Sequence, residues 1–464
     1  VDALSAFGVT TQRTIDAALL ERRDLLSSSA STAGAEQITI TAASASLADV
    51  QDAVDDAVDG DVIGIPNGSA TWTGGIVTTK QIRIRAVNIT PTPAGMAGTG
   101  ATTRNVVISN DTPADSGTAL FDMTSGDDYH VGIGGIQFNE TSPNSEAPGP
   151  HVRFHGSGTK VPLIYECMFS VKDRISGQGT GSESGSAIVM TGNGGVMWNC
   201  VISGYGWNTN PGNVGPFNGC IALKKPLNDP PAPVWTDAHT IGTADTNGLI
   251  NFYMEDCDCL IVAACPDVDE HQRAVIRYCS YQGSGIVTHG FTSGWGGRHV
   301  EVYNCEFLQV DTDVALGQGG LDPNFGRNAP LWIWCRAGTY VITDNFVDGS
   351  DIGYGSRGAL SCSDNVDPPG AYPVPRQMGC GHTGGAGGDT FPPYYIDPIY
   401  IWDQTGGSGA RYSVDVADIP DWTDHVQANR DYFTADGSHP NGQARPSYTK
   451  FTYPHPARAV VEGA

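Results

Sequence analysis

A strand-like motif recurs through the middle of the chain: a Cys, then a large apolar residue two positions later. YECMF holds Cys167 and Phe169, WNCVI holds Cys200 and Ile202, and EDCDC holds Cys257 and Cys259. RYCSY holds Cys279 and Tyr281, and VEVYNCEF, read as one strand over 300–307, holds Cys305 and Phe307. TDNF keeps Phe346 in that frame, with Asp344 in the place of the Cys. The successive gaps are 33, 57, 22, 26 and 39 residues. The short gaps match one coil of a β-solenoid, and the longer ones leave room for insertions or a coil without a Cys. Recurrence of this kind marks a stacked repeat, in which equivalent side chains lie over one another. A column of small buried thiols beside a column of aromatics would form a continuous interior ladder.

Composition agrees with many short strands joined by tight turns. The 464 residues include 60 Gly and 29 Pro, with 16% charged. The formal net charge of −25 argues against nucleic acid and against anionic membrane as partners, since both require a basic surface. It leaves a neutral or cationic partner, and a local basic groove would still accommodate an anionic glycan. The 11 cysteines are read mainly as buried thiols, with a disulfide or two allowed, for example near Cys362 and Cys380. Cys257 and Cys259 share a strand face and resemble half a metal site, but core packing explains them better. No apolar run reaches membrane-spanning length, so membrane insertion is not expected. The first residues show no basic stretch followed by an apolar one, and a trimmed initiator or a removed leader both fit a start at Val1.

In chain order, residues 11–26 form an amphipathic helix, and Ser27 to Gly34 reads as a linker. The pair is either a docking or oligomerisation segment or a helix folded onto the main domain. Ile38 and Ile40 then alternate as a strand, and Ser46 caps a helix whose apolar face is Leu47, Val50, Ala53, Val54 and Ala57. GDVIGIPNGSATW follows. This helix and the GDxIxIPxGxxxW pattern resemble the opening coil of right-handed parallel β-helix proteins of the pectate-lyase-like superfamily. The resemblance implies that the helix plugs the open end of the solenoid, where apolar interior and an unpaired strand edge would otherwise be exposed. Further strands are expected at 79–86, 104–109, 119–123 and 130–138. Long insertions fall at 203–217 and 224–247. After Gly349 the chain is Pro-, Gly- and aromatic-rich, with a strand at 398–402 and a short helix at 424–432. Its YTKFTYPHPARAV ending is similar to that of many bacterial and phage-borne β-helix proteins. The expected organisation is an N-terminal helix and linker over 1–36, a parallel β-helix over 37–360, and a loop-rich cap over 361–464.

β-Helix proteins of this kind mostly bind or cleave polysaccharides, as lyases, glycoside hydrolases or phage tailspikes. On that resemblance the densest stretch is 267–298. A hydrolase needs two carboxyl groups about 5 to 10 Å apart. Asp269 or Glu270 supplies one, and Asp311 or Asp313 the other. A lyase needs a base and a cation on the uronate carboxylate, which His271 or His289 with Arg273 or Arg298 would provide. Turn residues of a solenoid equally well stitch neighbouring coils. Trp207, Trp235 and Trp295, with Tyr205, sit in loops where sugars can stack or where they cover the coil. Trp332 and Trp334 read as structural. No cofactor motif is present. The acidic pairs Asp127–Asp128 and Asp311–Asp313 offer oxygens for Ca²⁺ without EF-hand spacing. The leading expectation is a surface-exposed, glycan-recognising protein of tailspike type, extracellular or on a virion and homotrimeric. A secreted polysaccharide lyase or hydrolase, and a non-catalytic adhesive β-helix, are the alternatives.

Overall fold

The computed structural model describes residues 36–89, 104–113, 117–140, 149–156, 158–172, 186–192, 194–205, 221–224, 245–260, 265–268, 272–282, 285–288, 299–308, 333–335, 339–347, 358–360, 398–406, 412, 414–416 and 427–462. The helix expected at 11–26 lies outside them. Among the described residues, the strands form sheets of 12, 10 and 9 strands, and every pairing between named strands is parallel. From Val62–Ile65 to Ile399–Trp402, each neighbour in the long sheet lies three strands further along the chain. One coil therefore gives one strand to each sheet, and successive coils stack at the parallel-strand spacing of about 4.8 Å. This is an all-β, solenoid-like architecture.

Side chains stack in columns because the register repeats. On the inner face of the long sheet Ile63, Ile84, Ile133, Ile164, Met197, Met254, Ile276, Val302, Ile342 and Ile401 follow one another in direct register. All of them are buried. β-Branched and flexible apolar side chains suit such a column, since each packs on its own kind above and below.

A backbone corner explains the motif that recurs in the sequence. VEVYNCEF is two strands, His299–Tyr303 and Glu306–Leu308, rather than one. Asn304 between them has φ 57°, in the left-handed region, and turns the chain from the long sheet into the nine-stranded sheet. Glu166, Asn199, Asp256, Tyr278, Asp344 and Asp403 occupy the same corner with φ between 50° and 56°. Gly135 (φ 68°) does so one coil earlier, which splits the strand expected over 130–138 into Gly132–Gly134 and Ile136–Glu140. A Cβ there would lie 2.6 Å from Ile89 Cγ1, so glycine is needed for space as well as for conformation.

The residue after each corner points inward. Cys167, Cys200, Cys257, Cys279 and Cys305 are all buried. Each thiol donates to the carbonyl two residues back, as from Cys257 to Glu255 O at 3.1 Å and from Cys279 to Arg277 O at 3.3 Å. Burial pushes the Cys200, Cys257 and Cys279 thiols up, which keeps them protonated and unreactive. The register corrects the TDNF frame by one residue, because Glu306 pairs with Phe346 and Phe307 with Val347. Asn345, not Asp344, takes the Cys position. Its Oδ1 accepts from Cys305 N at 2.9 Å and its Nδ2 donates to Val302 O at 3.0 Å. The second column runs Phe138, Phe169, Ile202, Cys259, Tyr281, Phe307, Val347. Aromatic stacking is confined to its two ends, Phe138 on Phe169 at 5.1 Å and Tyr281 on Phe307 at 4.9 Å.

The helix Leu47–Asp56 packs on strands Val62–Ile65 and Ile76–Thr78 through Val50, Ala53 and Val54. Ser46 Oγ accepts from Asp49 N at 3.2 Å, and Lys80 Nζ donates to the terminal carbonyls of Val54 and Asp55 at 2.8 and 2.7 Å. Both helix ends are thus satisfied, the cation lying at the negative end of the dipole.

The outer face of the long sheet is also buried. Near its start, Glu36 pairs with Arg83 and accepts from Tyr165 OH at 3.0 Å. Further along, the C-terminal residues lie across it. Phe451, Ala457 and Val461 join Val161, Leu163, Tyr165, Val196, Trp198, Tyr253, Val275 and Tyr303 in a second apolar cluster. The short helix expected at 424–432 is not formed over its described part. Residues 427–431 are turn and bridge, and Tyr432–Phe433 pairs parallel with Ile399–Tyr400.

Candidate functional site

The residues singled out from the sequence, Asp269, Glu270, His271, His289, Arg298, Trp207, Trp235 and Trp295, lie outside the described residues, as do Asp311 and Asp313. Arg273 is described and is buried on the long sheet in register with His299, so it does not line an open groove. His299 itself lies 3.0 Å from Glu301 Oε1 on its own strand and 2.7 Å from Thr339 Oγ1 on the neighbouring one. Asp127 Oδ1 accepts from Thr159 N at 2.9 Å, so this carboxylate stitches one turn to the next. Among the described residues no three His, Cys, Asp or Glu side chains converge as a metal site.

A polar cluster that the sequence did not single out stands on the outer face of the ten-stranded sheet. Strands Phe121–Thr124, Val152–Gly156 and Ile188–Gly192 are adjacent there, with Asp122 beside Arg153 and His155 beside Thr191. Phe121, Met123, Val152, Phe154, Ile188 and Met190 point inward and are buried. Strand alternation then turns Asp122, Arg153, His155 and Thr191 outward. His155 Nε2 lies 2.8 Å from Asp122 Oδ1, and its Nδ1 lies 2.8 Å from Thr191 Oγ1. Arg153 Nη1 donates to Asp122 Oδ2 at 3.0 Å and its Nη2 to Gly117 O at 2.8 Å. The His155 side chain remains 44% exposed, against 16% for Asp122, so the imidazole is the part that solvent reaches.

The donors follow from chemistry. An ionised carboxylate only accepts, so Nε2 carries the proton toward Asp122. Thr191 has two uses for its hydroxyl hydrogen: Nδ1 of His155, or Phe154 O at 3.2 Å. In the first case Nδ1 accepts; in the second it donates, and the ring is an imidazolium. Burial pushes the Asp122 carboxyl up, but hydrogen bonds from His155 and Arg153 outweigh this and hold it below the ordinary range. The result is a carboxylate–imidazole–hydroxyl row across three strands, with a guanidinium fixing its far end. Such a row presents donors and acceptors to hydroxylated ligands and can shuttle a proton. The alternation in FDMT, VRFHG and IVMTG was visible, but nothing in the sequence joined positions separated by 31 to 36 residues.

A second titratable cluster is closed to solvent. Arg277 and Arg458 both reach Glu255, Arg458 also reaches Asp256 at 2.7 Å, and Tyr453 OH donates to Asp256 at 2.6 Å. Burial raises Glu255, yet the two guanidinium groups prevail and its carboxyl is held below the ordinary range. Asp256 goes the other way, because its burial outweighs Arg458. Arg458 and Tyr453 of the C-terminal segment, bonded to Glu255 and Asp256, hold that segment to the sheet.

No protein-family model matches the chain, and no curated protein matches it significantly.

Proposed function

We propose that the chain is a right-handed parallel β-helix of the pectate-lyase-like kind that recognises a bacterial surface glycan, as a phage tailspike does. Right-handedness follows the rule for parallel crossover connections in general. The helix Leu47–Asp56 closes the first coil against solvent and strand pairing. The observation that carries the functional reading is the Asp122–His155–Thr191 row, whose imidazole reaches solvent on the outer face of the ten-stranded sheet. Sugars offer hydroxyls that both donate and accept, and this row does the same. The working location is extracellular or on a virion surface, and the working assembly is a homotrimer.

A depolymerising activity is the second reading. It is favoured by an imidazole held between a carboxylate and a hydroxyl, the connectivity of a general base. Purified chain is to be screened against bacterial capsular and lipopolysaccharide glycans, for retention and for release of reducing ends or unsaturated products. Retention without release supports recognition alone, and release supports the second reading. Failure to retain any glycan sinks both. Light scattering on the same sample tests the trimer, and a monomer counts against the tailspike form.

A further inference from the structure

We infer that Cys259 and Cys265 are the two halves of a disulfide, closed when the protein folds in an oxidising compartment. This stands apart from the glycan reading. Cys259 lies in strand Asp258–Leu260 of the nine-stranded sheet, in the column between Ile202 and Tyr281. Cys265 lies just before strand Asp267–Val268 of the ten-stranded sheet, its N–H donating to Gly285 O at 2.8 Å. The two sulfurs meet where one sheet gives way to the next. They are 2.9 Å apart and both are fully buried. A shift of under about 1 Å brings them to the roughly 2.05 Å of a disulfide bond. The corner cysteines stand at equivalent positions of stacked coils, as Cys257 and Cys279 do, where each thiol donates to a carbonyl oxygen and also meets the thiols of the neighbouring coils. Cys259 and Cys265 differ in that their sulfurs meet between two different sheets, at 2.9 Å.

The chemistry needs an external oxidant, and a small-molecule disulfide such as oxidised glutathione supplies it. One Cys thiolate attacks that disulfide, forming a mixed disulfide and expelling one small thiol. The second Cys thiolate then attacks the protein sulfur of the mixed disulfide and expels the other. Two protein thiols are oxidised, one small disulfide is reduced, and two thiols leave. Because both sulfurs are buried in the folded chain, exchange occurs before the coil closes, and the finished bond is shielded from reductant.

The test is a thiol map. Protein unfolded and fully reduced is refolded in a glutathione redox mixture, then denatured, alkylated, digested and analysed by mass. The expected result is a Cys259–Cys265 link, with Cys257 in the same region carrying the alkyl label. The link survives dithiothreitol added to the folded protein and is lost when the reductant is added to the unfolded protein. In Cys265→Ser, Cys259 becomes labelled. Alkylation of both residues after oxidative refolding, or linkage of either to another of the 11 cysteines, overturns the assignment.

Discussion

Glu255 and Arg277 face each other in register on adjacent strands of the long sheet, Arg277 Nε donating to Glu255 Oε1 at 2.8 Å, both side chains wholly buried. Glu255 also accepts from Arg458 Nη1 and from the backbone of His455, each at 3.1 Å. Removing one member of a buried, hydrogen-bonded charge set leaves the others uncompensated. Glu255→Ala is expected to lower stability by about 3–5 kcal/mol, read from the shift of the urea unfolding midpoint. A loss under about 1 kcal/mol would mean that the network is not closed to water.

The segment bearing Phe451 is expected to be required for solubility. Arg277 donates to Phe451 O and Thr452 O at 2.8 and 2.7 Å, and Trp198, Tyr253 and Tyr303 lie in the cluster that Phe451 completes. Deleting residues 446–464 exposes a contiguous apolar face, which marks an aggregation-prone surface. The shortened chain should bind a hydrophobic dye strongly and self-associate. Unchanged dye fluorescence would show that the segment does not cover this face in solution.

His151 sets an acid limb of stability. It is fully buried, its ring stacks on Phe138 at 5.5 Å, and burial pushes it down to about 4 against an opposing backbone hydrogen bond. The unfolded chain takes up its proton near pH 6.5 and the folded chain only near pH 4. The contribution is therefore complete above pH 6.5 and is lost as the pH falls to about 4, amounting to roughly 3 kcal/mol. His151→Gln should give a shallower fall of stability between those values, measured by denaturation across pH. An unchanged slope would contradict a buried neutral His151.

Asn345 satisfies two backbone groups from inside the thiol column. Asn345→Ala removes the bonds to Cys305 N–H and Val302 C=O, and is expected to cost about 1–3 kcal/mol. Cys305→Ala, which removes only a weak thiol donor and a small volume, should cost less. Thermal midpoints of the two variants check the order, and the reverse order would argue against Asn345 occupying the column.

The stacking of coils was legible because Cys167, Cys200, Cys257, Cys279 and Cys305 share one buried position. The corner before them was not. Glu166, Asn199, Asp256 and Tyr278 share a backbone conformation and no side-chain chemistry, so two strands read as one and TDNF slipped by a residue. The capped helix at Leu47–Asp56 was plain from Ser46 and its apolar spacing. The burial of Glu301 was not, because its cover, Tyr448, lies 147 residues away and donates at 2.7 Å. The Asp122–His155–Thr191 row escaped for a related reason. Its strands lack the Cys marker, and only the register of the sheet brings them together.

Glycan binding at the solvent-facing imidazole of the row on the ten-stranded sheet is open to a decisive test. The most direct measurement is the affinity, by titration calorimetry, of a glycan retained in the screen for the native chain, for His155→Ala and for Ile250→Ser. Ile250 is exposed and does not belong to the row. The expected result is a loss of tenfold or more, about 1.4 kcal/mol, for His155→Ala and no change for Ile250→Ser. Equal affinity of His155→Ala and the native chain would contradict it.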